Sequence, residues 1–285
     1  MCRTALLVLV LALAACGRLG FATEDFSGDA TIVDTGPSDA VDLTSDLSAW
    51  FKLDETSGAA VVNSAGAGQS GAIQFPSQAT WQPGRVAGSL RLDNFQTAAP
   101  TFVQYPSTDG TCAGLFIVSG GFTVSAWVWF ERFQVWDNGS LSDIAVMNGT
   151  NGGSEGGWGL GATDACGATT IGLAVTPSSN GSRRAVRCGT TPLATNEWLH
   201  LTGVYDPSVP ALDVYLNGSR DTGALAAGVG SEPVPSMVFV PNHCINLGTG
   251  SNQYKLLAGS LDEVRVYLRA FTADEVAALY AASSP

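Results

Sequence analysis

The chain has 285 residues, with 25 Asp plus Glu against 13 Lys plus Arg and a formal charge of −12. That balance excludes a nucleic-acid partner, because tracking phosphates needs a positive field. Thirty-four glycines and short alternating apolar runs exclude a helical bundle and point to an all-β domain.

The chain opens with an unbroken apolar run, Ala5 to Ala15, behind Arg3. It is too short to span a bilayer and has the form of a secretory signal. It ends in Leu13-Ala14-Ala15-Cys16, which resembles the bacterial lipobox. The resemblance implies removal of residues 1–15, lipidation of Cys16 and anchoring to a membrane, since each buried methylene contributes ~0.8 kcal/mol. Gly17 stands where Asp favours inner-membrane retention in the resembled lipoproteins, so an outer-membrane lipoprotein of a bacterial cell envelope is expected. Residues 16–46 then carry seven acidic side chains, and no Lys or Arg occurs between Arg18 and Lys52. Such a composition predicts a disordered acidic tether.

Residues 47–285 read as one β-sandwich. Four segments carry its pattern: LSAWFKLDETSGAAVVNSAGAGQSGAIQF with WQPGRVAGSLRLDN; GFTVSAWVWF; WLHLTGVYDPSVPALDVYLNG; and LAGSLDEVRVYLRAFTADEVAALY. In the second, Phe122, Val124, Ala126, Val128 and Phe130 alternate with Thr123, Ser125, Trp127, Trp129 and Glu131, so one face is wholly apolar. In the third, two strands meet at a polar turn and Leu199, Leu201, Leu212, Val214 and Leu216 point inward. Trp198, His200, Asp213 and Tyr215 then share the outer face with Trp127 and Trp129. These six side chains are the candidate ligand-binding residues, an aromatic groove with a few polar groups. The competing reading makes the indoles a second small core and His200 a structural hydrogen-bonder. In the last segment, Thr272-Ala273-Asp274-Glu275 is a capping box that opens a short helix with Val276, Leu279 and Tyr280 on one face.

Together the four segments resemble laminin-G-like domains, relatives of pentraxins and concanavalin A-like lectins. The resemblance implies an all-β, concanavalin A-like two-sheet jelly roll with one short C-terminal helix. It also implies binding of a carbohydrate or a cell-surface protein. A structural calcium ion would join Asp262 to the early loop around Gly71, with Asp54 and Asn63 as further ligands. Asp262 as a strand cap, or paired with Arg265 or Arg85, is the alternative. Enzymes of the resembled fold carry an ExDxxE strand whose carboxylates flank the scissile bond. No ExDxxE occurs in this sequence, so the chain is not expected to be an enzyme. A structural or adhesive protein-contact module is the first alternative, and a divergent glycoside hydrolase the second.

Beyond Cys2 and Cys16, four cysteines allow three pairings, of which Cys166 with Cys188 and Cys112 with Cys244 are expected. Without a CxxC spacing, zinc is disfavoured. Residues 132–158 and 176–187 read as long loops, the second with a positive cluster of Arg183, Arg184 and Arg187 that could meet an acidic glycan. The Asn-Gly pairs at Asn138, Asn148, Asn180 and Asn217 predict tight turns.

Overall fold

A computed structural model describes residues 41–66, 69–94, 100–106, 120–134, 141–149, 157–176, 185–209, 211–226, 244–249 and 255–284. The signal run, Cys16 and the tether to residue 40, together with Cys112, Asn138, Asn180, Arg183 and Arg184, lie outside the described residues. In chain order the strands are β1 (Leu47–Phe51), β2 (Ala60–Val62), β3 (Ser70–Gln74), β4 (Ala79–Pro83), β5 (Gly88–Leu92), β6 (Phe102–Tyr105), β7 (Phe122–Phe130), β8 (Leu141–Gly149) and β9 (Gly157–Thr163). They continue as β10 (Thr170–Thr176), β11 (Ala185–Pro192), β12 (Trp198–Asp206), β13 (Ala211–Leu216), β14 (Ser219–Arg220), β15 (Thr222–Leu225), β16 (Ile245–Leu247) and β17 (Gly259–Tyr267), followed by the helix α1 (Ala273–Ala282).

The strands form two antiparallel sheets. The first runs β14-β13-β12-β7-β17-β5-β4, with β1 also paired to β17; the second runs β15-β11-β10-β9-β8-β16-β6-β3-β2. This is the predicted two-sheet sandwich, with α1 as the one short α-helix among the described residues.

Its core lies between the sheets. Phe122, Val124, Ala126, Val128 and Phe130 of β7 face Trp158, Leu160 and Ala162 of β9 and Ile171, Leu173 and Val175 of β10 within one buried cluster. Full burial of each large apolar side chain contributes about 1.5–3 kcal/mol, so this cluster is the main stabilising term. Gly203 in β12 permits a close approach of the two sheets: a Cβ there would lie 2.7 Å from Leu173 Cδ1. The inward set expected for the β12–β13 hairpin holds, with Leu199, Leu201, Leu212 and Val214 buried and Leu216 packed against them.

Strand β17 departs from simple alternation. Leu261 and Val264 both enter the core, and the register against β7 shifts between Asp262 and Arg265, where Glu263 takes a φ of 51°. The extra residue of this bulge lets both apolar side chains point inward. Glu263 also clasps β1: the Trp50 indole donates to its Oε2 at 2.9 Å, and Arg265 pairs with the same oxygen while its guanidinium lies 4.6 Å from the Trp50 ring centre.

Two loop expectations are corrected. Residues 132–158 contain strand β8, whose Ile144, Ala145 and Val146 are buried between β9 and β16. Asn148 accordingly lies in that strand, opposite Trp158 and Ile245, because two flanking ladders override its turn tendency. Asn217-Gly218 is the tight turn the sequence predicts: φ is 51° and 77° at the two residues, and the Asn217 side chain accepts the His200 backbone N–H at 2.9 Å. Arg187, placed in a surface cluster by the sequence, is half-buried and donates to the carbonyls of Leu212 and Gly223, each at 3.0 Å.

Cys166, in the β9–β10 turn, is bonded to Cys188 of β11, 22 positions further along the sequence. Cys244 is also disulfide-bonded, and its expected partner Cys112 lies outside the described residues. Closing a loop of this size stabilises by about 3 kcal/mol in the chain-entropy account. A Cys166→Ala/Cys188→Ala variant is therefore expected to lose about 2–4 kcal/mol in urea unfolding. A loss within error of zero would mean that the β10–β11 ladder alone fixes this corner.

Candidate ligand-binding face

The outer face of the first sheet carries the candidate residues in rows set by strand register. His200 of β12, Trp127 of β7 and Asp262 of β17 form one row. The next row is Trp198, Trp129, Ser260, Arg91 and Thr80, drawn from β12, β7, β17, β5 and β4. These two rows meet different fates.

Helix α1 covers the first. Thr272 Oγ1 accepts from the Glu275 N–H at 3.3 Å and Glu275 Oε2 accepts from the Thr272 N–H at 2.7 Å, the predicted capping box. Val276 and Leu279 pack with Val204, Tyr215, Tyr267 and Phe271 in a second buried cluster. The Tyr280 ring lies 5.5 Å from Trp127 and 5.6 Å from His200, and the Trp127 indole donates to the Ser283 carbonyl at 2.8 Å. Trp127 and His200 are thus 1% and 0% exposed, and Tyr215 is buried with them. These three are brought together as part of the packed layer under α1, not as the lining of an open groove. Asp213 is spent on Arg220, 2.7 Å away, and on Thr222.

Burial governs the chemistry here. Desolvation, then the Arg265 charge, lowers the His200 pKa to about 3, so the imidazole is neutral at physiological pH. Desolvation raises Asp262 to about 7, opposed by hydrogen bonding from the Val86 N–H and reinforced by Glu263 and Asp54. Asp143 of β8 is raised to about 7 by the same cause. Asp262 Oδ2 accepts the Val86 N–H at 2.7 Å, while its buried Oδ1 has no hydrogen-bond partner among the described residues. Asp54 reaches the same turn, accepting the Gly88 N–H at 2.8 Å. Gly71 lies in β3 of the other sheet, against Val103 and Tyr105, and Asn63 is held by the Trp50 N–H and the Tyr105 hydroxyl.

The second row stays open. Trp129 and Trp198 are half-buried, with ring centres 5.9 Å apart at 67°. Beside them Gln82 donates to Ser260 Oγ at 2.9 Å. Arg91 holds Glu131 side-on, Nε to Oε1 at 2.5 Å and Nη2 to Oε2 at 3.0 Å, with Asp93 3.6 Å from Nη1. Two indoles flanked by paired donors and acceptors can take a ligand with apolar faces and hydroxyl edges. Gln82, Arg91 and Ser260 were missed in the sequence because β4 and β5 reach this face only through pairing with β17. Glu131 carried a readable signal, as the next outward position after Trp127 and Trp129. On the other sheet, a small depression is lined mainly by Leu141, Ile144, Met147, Trp158 and Ala174.

Two sheets with an aromatic outer row define a lectin-like sandwich. The family described as the concanavalin A-like lectin/glucanases superfamily matches residues 101–277, and the chain belongs to it. Comparison with curated protein sequences yields no match. Among solved structures, domain 4 of AbnA, a GH43 extracellular arabinanase from Geobacillus stearothermophilus in complex with arabinotriose, is 20% identical with a TM-score of 0.56, over 82% of this chain and 98% of that domain. The binding domain of Paraclostridial Mosquitocidal Protein 1 is 15% identical with a TM-score of 0.53, over 84% of this chain and 52% of that one. The binding domain of Botulinum neurotoxin DC in complex with SialylT is 9% identical with a TM-score of 0.56, over 85% and 53%. The match spans about half the length of the two toxin binding domains. Likeness at these identities is a likeness of fold.

The Asp262 assignment has a measurable consequence. With a folded pKa near 7 against about 3.9 unfolded, the native state binds more protons between these values, and Asp262 makes stability fall as pH rises through that window. Asp262→Asn removes this fall and keeps an acceptor for Val86. In metal-free buffer the variant is expected to gain on wild type by about 2–4 kcal/mol between pH 4 and 7.5, read by urea unfolding. A pH-independent difference would refute the raised carboxyl.

Proposed function

We propose that this chain is a non-catalytic glycan-binding module, lipid-anchored through Cys16 at the outer membrane of a bacterial envelope and held off it by the acidic segment that follows. The observation that carries the binding reading is the half-buried Trp129–Trp198 pair beside Gln82, Ser260, Arg91 and Glu131. A sugar ring offers C–H faces to an indole and hydroxyls to an ion pair that both donates and accepts. The arabinotriose complex of the arabinanase domain and the SialylT complex of the toxin domain support a saccharide ligand for this fold. The non-catalytic reading is supported by Glu131: both oxygens of this carboxylate beside the indoles are engaged by Arg91. Asp143 and Asp262, the carboxyls raised by burial, lie in different sheets, and each accepts a backbone N–H.

Titration of the full chain with arabinotriose and a panel of oligosaccharides, followed by tryptophan fluorescence, tests the binding reading. Saturable binding is expected, weakened at least about tenfold, or about 1.4 kcal/mol, by Trp129→Ala/Trp198→Ala. Binding unchanged in that variant would move the site elsewhere, and no binding by a folded protein would end the glycan reading.

A structural calcium ion is part of the same proposal. The unpartnered Asp262 Oδ1 and the Asp54 carboxylate beside one turn are oxygen donors of the kind this hard ion takes, whereas Gly71 of the other sheet is not part of that turn. Calcium at pH 7.5 is expected to raise the melting temperature over EGTA in wild type and not in Asp262→Asn. Equal melting in calcium and EGTA would remove the ion from the account.

A further inference from the structure

The open row also carries information about the charge of its ligand, on the reading that it binds a glycan. Its members are Trp198, Trp129, Ser260, Arg91 and Thr80, and among them only Arg91 is charged. That guanidinium is held on two nitrogens by Glu131 and approached on the third by Asp93. Hydrogen bonding to Glu131, foremost, raises the Arg91 pKa, and the guanidinium and the carboxylate compensate each other's charge. One cation against two carboxylates leaves this end of the row slightly negative on a chain of charge −12. Arg85, between β4 and β5, lies with its guanidinium 4.9 Å from the ring centre of Trp127, a member of the covered row.

A carboxylate or sulfate on a sugar is captured best by the bidentate fork of an arginine. In this row the Nε/Nη2 edge of that fork is filled by Glu131. An incoming acidic glycan would have to displace a carboxylate already in place and would meet Asp93 and Glu131 as like charges. A neutral sugar meets neither obstacle, because its hydroxyls can accept from the remaining Arg91 donors and donate to Glu131.

We infer that the row selects neutral glycans, and that Glu131 is the specificity-determining residue, excluding acidic ones by occupying the Arg91 fork. Glutamine at this position keeps the shape and removes the charge, leaving the guanidinium free to receive a ligand carboxylate. Arg91→Met on that background takes the new site away again.

The test compares the full chain, in a detergent without a sugar headgroup, with Glu131→Gln and Glu131→Gln/Arg91→Met. The probes are arabinotriose as the neutral saccharide, and sialyllactose and a galacturonate oligomer as acidic ones. Wild type is expected to bind the neutral probe at least tenfold more tightly than either acidic probe. Glu131→Gln is expected to raise acidic binding at least tenfold, with a new dependence on salt, and the double variant to abolish the gain. The inference is overturned if wild type binds acidic probes as tightly as neutral ones through Trp129 and Trp198, or if Glu131→Gln leaves the acidic-to-neutral ratio unchanged. No binding of any probe by wild type or either variant, with circular dichroism showing all three folded, overturns the glycan reading itself and this inference with it.

Discussion

The structure depends on the two-residue period of β7. Because five apolar side chains on one face of that strand fill the space between the sheets, its intervening side chains are obliged to face outward, and a slip of one residue would invert both sets. Two indoles are thereby committed to the outer surface at adjacent positions of one face. What each does there is decided by what lies above it. Helix α1 arrives over Trp127, and the indole becomes the floor of a second core, its N–H answered by Ser283. Among the described residues no helix covers Trp129, which is only half-buried beside Trp198. One strand thus supplies both a buried and a solvent-facing tryptophan through a single alternation.

The features legible in the sequence are those specified within a few residues. The faces of β7, the inward set of the β12–β13 hairpin, the Asn217-Gly218 turn and the Thr272 capping box all follow from local periodicity or turn chemistry. Strand β8 was not legible: Leu141 to Gly149 sits among glycine- and polar-rich flanks, and its identity comes from two neighbours, β9 and β16. The bulge in β17 left a trace, in that Leu261 and Val264 are three apart where an unbroken strand would keep even spacing. The candidate site was half legible. Its aromatic members lie on hairpin-linked or strongly alternating strands, whereas Arg91 and Gln82 reach them through β17, far away in sequence. Arg187 shows the converse error. A basic triplet in sequence resembles a surface patch, yet its last member is drawn between strands to satisfy two carbonyls.

Relatives of the same shape at 9–20% identity indicate how little of this architecture depends on particular residues. Alternation and turn chemistry can be met by many sequences, and ligand preference then rests on the few outward positions that alternation leaves free. Here those positions are nearly neutral, since the charged groups among them are matched to each other. Buried ionisable groups nearby behave differently: His200 is kept uncharged and Asp262 is pushed toward protonation by the loss of water. The sheet therefore presents an outer surface whose polarity comes from hydrogen bonding more than from net charge.

The partnership of β1 with β17 sets an order of assembly. Leu47 pairs with Tyr267 and Phe51 with Val264, so the first strand of the fold has its neighbour at the far end of the chain. During synthesis, the backbone groups of β1 destined for this ladder stay without a partner until nearly the whole domain has emerged, and the helix that seals Trp127 comes later still. Such distant pairing makes for slow closure and exposes an unfinished sheet edge in the interim. Ending the chain anywhere before Gly259 would thus leave both the start of the domain and its central strand β7 without the neighbour that joins them.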